Sequence, residues 1–107
     1  STFTVSDFAR TLTSNGNGTD HGWGGNAIVM GGAVKGGRMY GTYPSLALRQ
    51  DLDVGGGVLI PTMSTDEYFA ELALWFGVSP SDLSMVLPNI GNFYDPQIGG
   101  APVGFLL

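Results

Sequence analysis

Three polar side chains near the start of the chain have the types and spacing to do chemistry together: Asp7, Arg10 and His21. Asp7 follows a predicted strand over Thr2–Ser6, and the ends of strands are where open α/β sheets place their sites. His21 is the only histidine of the chain and lies in a glycine-rich segment. If the strands beside Asp7 and His21 are neighbours, a carboxylate and an imidazole meet, and both suit zinc or another divalent ion. Asp7 and His21 are therefore the predicted metal ligands.

Each of these residues also has a purely structural alternative. A lone histidine in a loop often caps a backbone carbonyl, and one imidazole does not make a metal site. The Asp7 carboxylate can equally accept hydrogen bonds from the backbone of Ala9 or Arg10. The Arg10 guanidinium is a planar fork of donors that suits a phosphate or another oxyanion, but an arginine after a strand also pairs with nearby acids. Arg10 is thus a candidate substrate-binding residue, with ion pairing as its alternative.

Composition excludes several other classes of protein. The net charge of -5 comes with only four Lys and Arg and no basic cluster, so nucleic-acid binding has no electrostatic support. The absence of cysteine excludes disulfides and thiolate metal sites. No apolar run approaches the roughly 20 residues that span a bilayer. Charged residues make up only 12 % of the chain, so a large part of its surface must be covered by neutral groups or by other protein. The expected partner is either a missing N-terminal part of a longer parent or a second copy.

The N-terminal half is predicted to be strands and loops. Thr2–Ser6 is β-branched and predicts a strand, whereas the Thr, Ser, Asn and Gly composition of residues 11–26 predicts a surface loop. The apolar run Ala27–Met30 predicts a strand buried on both faces, and Val34–Tyr40 predicts a turn into an exposed strand. A hairpin is predicted around Gly55–Gly57.

The C-terminal half is predicted to be helical. A capping box over Ser64–Glu67 begins a helix that ends before Gly77, and its aromatic and leucine stripe is assigned to core packing. Ser79 and Pro80 begin a second short helix that ends before Pro88. The apolar end Phe105–Leu107 is predicted to dock. We treat residues 1–107 as a single domain.

Several segments together resemble one known family. They are Ser6–Thr11, Asn15–Gly25 and Val29–Gly37, with Trp75–Val78 and Leu87–Ile90 as closing segments. The Asp-His-Gly and Gly-Gly-Ala-Val-Lys-Gly-Gly blocks within them are the most specific parts. On these motifs the chain resembles the C-terminal region of the domain of unknown function 1501 family, whose members look like relatives of the alkaline phosphatase and sulfatase superfamily.

The resemblance implies a fold and a site. The fold is α/β, the C-terminal part of an alkaline-phosphatase-like α/β/α sandwich with short strands, a glycine-rich loop region and two C-terminal helices. Asp7 and His21 take the places of metal ligands of that superfamily, for zinc or manganese. Phe8 stands where the superfamily often has histidine, and Ala9 stands where a glycine is expected.

The resemblance also implies a function. The parent protein is expected to be an exported, periplasmic bacterial protein that hydrolyses a phosphate or sulfate ester with divalent metal ions. The nucleophile and remaining ligands would lie upstream, so the chain alone is expected to be inactive. The alternative, which Phe8 and the low charge would allow, is a non-catalytic exported binding or surface-assembly protein that keeps the fold without the metal centre.

Overall fold

The computed structural model describes residues 1–106, which fold into short strands followed by helices. Two compact units divide the chain: unit 1 contains residues 1–32 and 42–62, and unit 2 contains residues 33–41 and 63–107. The strands are β1 (Thr2–Phe3), β2 (Ala9–Ser14), β3 (Thr19–Gly22) and β4 (Val29–Met30). The α-helices are α1 (Thr65–Phe76) and α2 (Leu83–Val86), with 3-10 turns at Pro80–Asp82 and Ile90–Asn92. This arrangement confirms a mixed α/β fold with two helices toward the C-terminus.

A β-hairpin occupies most of the region that the sequence predicted to be a loop. Strands β2 and β3 pair antiparallel, with an irregular register between Arg10 and Ser14. The backbone N–H of Asn15 donates to the carbonyl of Gly18 at 2.9 Å and closes the turn between them. The loop prediction for residues 11–26 was therefore wrong, because an Asn-Gly pair between strand-forming segments is itself a hairpin signal.

The apolar segment before Gly31 is less buried than predicted. Strand β4 contains only Val29–Met30 and pairs antiparallel with β1. Ile28 and Met30 are 62 % and 57 % exposed, so the prediction of a strand buried on both faces was wrong for the described residues. An uninterrupted apolar run indicates burial only if other layers cover it, and the two-stranded β1–β4 sheet supplies no such layers within unit 1.

The predicted hairpin at Gly55–Gly57 is a tight loop closed by an isolated β-bridge and a backbone hydrogen bond. Asp53 and Leu59 form an isolated antiparallel bridge, and the N–H of Val54 donates to the carbonyl of Val58 at 2.9 Å. The Asp53 carboxylate stabilises this loop by accepting from the backbone N–H of Arg49 at 2.9 Å, Gly55 at 2.9 Å and Gly57 at 3.1 Å. We call this loop the Asp53 loop (residues 49–59), because one side chain accepts three of its backbone hydrogen bonds.

Acid is expected to loosen the Asp53 loop. The hydrogen bond from the Arg49 N–H, followed by that from Gly55, holds the pKa of Asp53 below its ordinary value, and desolvation opposes them. The stabilisation is therefore fully present above the ordinary pKa of an aspartate and is lost as the pH falls through the lowered value. Asp53→Asn should lower the free energy of unfolding at pH 7 and should lower it by a smaller amount at pH 3, as measured by urea unfolding. An equal cost at both pH values would contradict this assignment.

Helix α1 begins and ends as the sequence predicted. The Ser64 hydroxyl accepts from the Glu67 N–H at 3.1 Å, and the Ser64 N–H donates to the Glu67 carboxylate at 2.8 Å. Gly77 ends the helix with φ 123°, and its N–H donates to the carbonyl of Ala73 at 3.1 Å. The prediction of core packing was wrong for Trp75 and Phe76, which are 45 % and 85 % exposed.

The second helical segment starts as a 3-10 turn at Pro80 and continues as α2, which confirms a short helix before Pro88. Val34 forms only an isolated bridge with Leu106, so the exposed strand predicted over Val34–Tyr40 is absent from the described residues. The Tyr40 hydroxyl instead donates to the carbonyl of Lys35 at 2.6 Å and closes a turn. Within residues 1–106 no helix has the length and hydropathy that a bilayer crossing requires.

The core of unit 2 lies between α1, α2 and the following 3-10 turn. Its buried residues are Ala70, Leu83 and Ile90. Phe105 and Leu106 are also buried, which confirms that the apolar end docks, whereas Leu107 lies outside the described residues. All the buried hydrophobic side chains of the described chain belong to unit 2, while unit 1 leaves many large apolar side chains exposed.

Candidate functional site

The β2–β3 hairpin brings Arg10 and His21 together. They are direct cross-strand partners in the register of the two strands, and directly opposite residues in an antiparallel pair project on the same face. Exposure alternates along β2, with Arg10 and Leu12 on the exposed side and Thr11 on the half-buried side. The hairpin therefore places a guanidinium and an imidazole side by side on an exposed face.

Phe8 joins these two side chains into one cluster. Its ring stacks on the His21 imidazole with the centroids 3.7 Å apart and the planes 17° from parallel. The Arg10 guanidinium carbon lies 5.2 Å from the centroid of the same ring, a cation–π distance. Stacking covers a face of the imidazole but leaves its nitrogens accessible in the ring plane, where ligands and hydrogen-bond partners bind. Phe8 thus orients His21 without blocking its chemistry.

Arg10 is held by neutral groups. Its Nη1 donates to the carbonyl of Thr19 at 2.8 Å, and its guanidinium carbon lies over the Phe8 ring. Within residues 1–106 both contacts are uncharged, so the positive charge of the guanidinium is not neutralised by a carboxylate there. A guanidinium fixed at one nitrogen still presents the rest of its donor fork to a ligand.

Asp7 lies in the bend before β2, next to Phe8, and not at the end of a longer first strand. Strand β1 ends at Phe3 and pairs with β4, whereas His21 lies on β3. Asp7 and His21 are two donors of the chemistry that zinc accepts. Among residues 1–106, however, no group of three or more His, Cys, Asp and Glu side chains could hold a metal ion. These two residues do not make a complete metal site by themselves.

A cleft of about 250 Å³ lies beside this cluster, within unit 1. We call it the Arg10 cleft. One charged side chain lines it, and the rest of its wall is backbone, amide, aromatic and aliphatic. Its lining residues are Arg10, Leu12, Gly24, Gly25, Asn26, Tyr43, Pro44, Leu46 and Leu59. A charged group beside apolar walls is the usual composition of a site for a small ligand.

Two glycines in the lining of the Arg10 cleft permit close packing against neighbouring segments. The Gly24 N–H donates to the carbonyl of Leu59 at 2.8 Å, and a Cβ at Gly24 would lie 2.8 Å from that same oxygen. A Cβ at Gly25 would lie 2.8 Å from the Cβ of Ala9 on β2. Only glycine permits both approaches, so this part of the lining is backbone packed closely against its neighbours.

Sequence reasoning proposed Asp7, Arg10 and His21 as site residues but missed the residues that lie near Arg10 and His21. Phe8 was noted only as a departure from the family pattern, although an aromatic residue two positions before a strand arginine is a plausible stacking partner. Tyr43 and Leu46 carried no signal, because residues 41–48 show neither helical nor strand periodicity. Their role in the lining depends on tertiary contacts alone.

The chain is thus a mixed α/β protein with short antiparallel strands, two helices toward the C-terminus and a candidate site on its hairpin. Comparison with protein families assigns the family: the family model described as "Protein of unknown function (DUF1501)" matches residues 2–79. This is more than half of the chain, and the protein belongs to that family. The matched segment contains Asp7, Arg10 and His21. No curated protein and no solved structure matches the chain.

Proposed function

We propose that this chain is part of an exported, alkaline-phosphatase-like protein that hydrolyses a phosphate or sulfate ester with the help of divalent metal ions. Asp7 and His21 supply two ligands for zinc or manganese, and Arg10 binds an oxygen of the ester group. The further ligands and the nucleophile come from outside this chain, which is inactive alone. The observation that carries the proposal is the pairing of Arg10 with His21 across the hairpin.

The chemistry of the three side chains supports this assignment. Carboxylate oxygen and imidazole nitrogen are both ligands of catalytic zinc. An arginine fork matches the geometry of a phosphate or sulfate group and keeps its charge at any working pH.

Metal binding by the purified chain tests the proposal. His21→Phe keeps a ring for Phe8 to stack on but removes both nitrogen donors, so it separates ligation from packing. We expect calorimetric titration with zinc or manganese to show binding that is about tenfold weaker, or more, in His21→Phe, since loss of even an outer partner of a ligand costs about 10–100-fold. Asp7→Asn should weaken binding in the same direction.

The matched control is Asp51→Asn, an exposed acid of unit 1 that is not assigned to the site. It should bind the ion as the unaltered chain does. Equal affinity in His21→Phe and the unaltered chain would remove His21 from the ligand set, and absence of binding would confine any metal centre to a longer protein.

A second candidate function is favoured by the exposed apolar surface of unit 1. Phe3, Val5, Ile28 and Met30 are each more than 40 % exposed around the β1–β4 sheet. A non-catalytic exported binding or surface-assembly protein would use such a surface to contact another part of a parent protein or a second copy. Sedimentation velocity distinguishes a monomer from a self-associated form, and a longer protein with neither metal nor esterase activity would favour this candidate.

A further inference from the structure

We propose that the Arg10 cleft binds a small organic anion with one negatively charged group on an apolar body about the size of a single ring. The cleft lies entirely within unit 1. The inference shares Arg10 with the proposed function but needs neither a metal ion nor Asp7 and His21. It therefore stands or fails separately.

The charge of the cleft selects an anion. Arg10 is its only charged lining residue, and no acidic side chain lines it. The guanidinium donates to the Thr19 carbonyl and lies over the Phe8 ring, and within residues 1–106 no carboxylate forms an ion pair with it, so its charge is held in place without being neutralised. A fixed, unneutralised arginine in a chain of net charge -5 is a specific attraction for a carboxylate, phosphate or sulfate group.

The walls of the cleft select an apolar body. Five of its lining residues are apolar or aromatic: Leu12, Tyr43, Pro44, Leu46 and Leu59. A cavity of about 150 Å³ is enough to hold a benzene ring, so a cleft of about 250 Å³ has room for one ring and a charged group. Inorganic phosphate would leave most of this apolar wall in contact with water.

Contacts among the lining residues hold the cleft in shape. The Asn26 side-chain amide donates to the Tyr43 hydroxyl at 3.2 Å, which joins two segments of the lining. The close approaches of Gly24 to Leu59 and of Gly25 to Ala9 hold the backbone of the lining in place. A cleft whose lining is fixed before binding loses little entropy when the ligand enters.

Titration of the full 107-residue chain with phenyl phosphate and with inorganic phosphate tests the inference. Both titrations are followed by the amide resonances of Gly24, Gly25 and Leu46, in EDTA so that no metal contributes. We expect phenyl phosphate to shift these resonances and to bind about tenfold more tightly than phosphate, the gain expected from burying part of a ring. Arg10→Gln should weaken the binding of phenyl phosphate about tenfold, because it removes a charged hydrogen-bond donor.

Two matched pairs of variants separate the anionic and apolar parts. Leu46→Ala should weaken the binding of phenyl phosphate about threefold and leave the binding of phosphate unchanged. Leu48 is exposed to a similar extent but lies outside the lining, so Leu48→Ala should alter the affinity for neither probe. Arg38→Gln removes an exposed arginine outside the cleft and should have no effect.

Three results would each overturn the inference: no shift at low millimolar phenyl phosphate, equal affinity for the two probes, or equal binding by Arg10→Gln and Arg38→Gln. Binding of phenyl phosphate in EDTA by a chain that takes up no metal would support this site while the proposed metal ligation fails. Metal binding without phenyl phosphate binding would support the proposed metal ligation and overturn this site.

Discussion

Replacing Glu71 with glutamine is expected to release the C-terminal segment of unit 2 and to lower the free energy of unfolding by about 3 kcal/mol. Glu71 lies on α1, is only 4 % exposed, and accepts hydrogen bonds from four consecutive backbone N–H groups. One carboxylate oxygen accepts from Val103 at 3.0 Å and Gly104 at 2.6 Å. The other accepts from Phe105 and from Leu106, the latter at 3.0 Å.

Glutamine preserves the shape of the side chain but not its acceptors. Its amide nitrogen would point a donor at two N–H groups that are themselves donors, which leaves buried polar groups unsatisfied. Phe105 and Leu106, which this segment buries, would then lose their fixed position. Since small domains are stable by only about 5–15 kcal/mol, the loss is a large fraction of the total.

Hydrogen exchange measured by mass spectrometry checks this expectation, together with urea unfolding. The amides of residues 103–106 should lose protection in Glu71→Gln. Glu67→Gln is the matched control, since it makes the same change on the same helix and glutamine still completes a capping box. Retained protection at 103–106 in Glu71→Gln would show that apolar packing, and not the carboxylate, holds the segment.

Replacing Gly57 with alanine is expected to separate the Asp53 loop from β2 and to cost about 2–4 kcal/mol. Gly57 is buried, has φ 81°, and its carbonyl accepts from the Leu12 N–H at 3.0 Å. A Cβ at this position would lie 2.7 Å from both the backbone nitrogen and the Cβ of Leu12. The new methyl group therefore meets backbone that cannot move without breaking the hydrogen bond.

Gly56→Ala is the control for the conformational part of this cost. Gly56 also has a positive φ of 63°, but its added Cβ would meet nothing closer than the Thr13 hydroxyl at 3.9 Å. It should cost only about 1–2 kcal/mol, the penalty of a left-handed conformation. Thermal unfolding of the two variants gives the comparison. Equal costs would mean that the approach of Gly57 to Leu12 contributes nothing.

Local signals predicted the helices of this protein well. The Ser64 and Glu67 side chains and Gly77 define both ends of α1 because a helix terminus needs partners for its own backbone groups, and adjacent residues supply them. The same reasoning placed the second helical segment at Pro80. Hydrophobic periodicity was less reliable, since it assigned Phe76 to the core and gave no indication that the acidic Glu71 would be buried.

The candidate site shows a similar division. The residue types of Asp7, Arg10 and His21 indicated metal and oxyanion chemistry, but their arrangement depended on a hairpin that the polar composition of residues 11–26 concealed. The pairing of Arg10 with His21 follows from the strand register, and the stack on Phe8 follows from how the chain enters β2. Neither could be obtained from composition.

The sequence by itself determined the family, the two helical segments and the side chains available for chemistry, because these depend on residue identity and on neighbours within a few positions. Only the tertiary structure decided that Glu71 holds the C-terminal segment, that Gly57 lies against Leu12, and that Tyr43 and Leu46 help to line the Arg10 cleft. The contacts of Glu71 and of Gly57 join residues 32 to 45 positions apart. They are set by which surfaces pack together, and no local pattern encodes that choice.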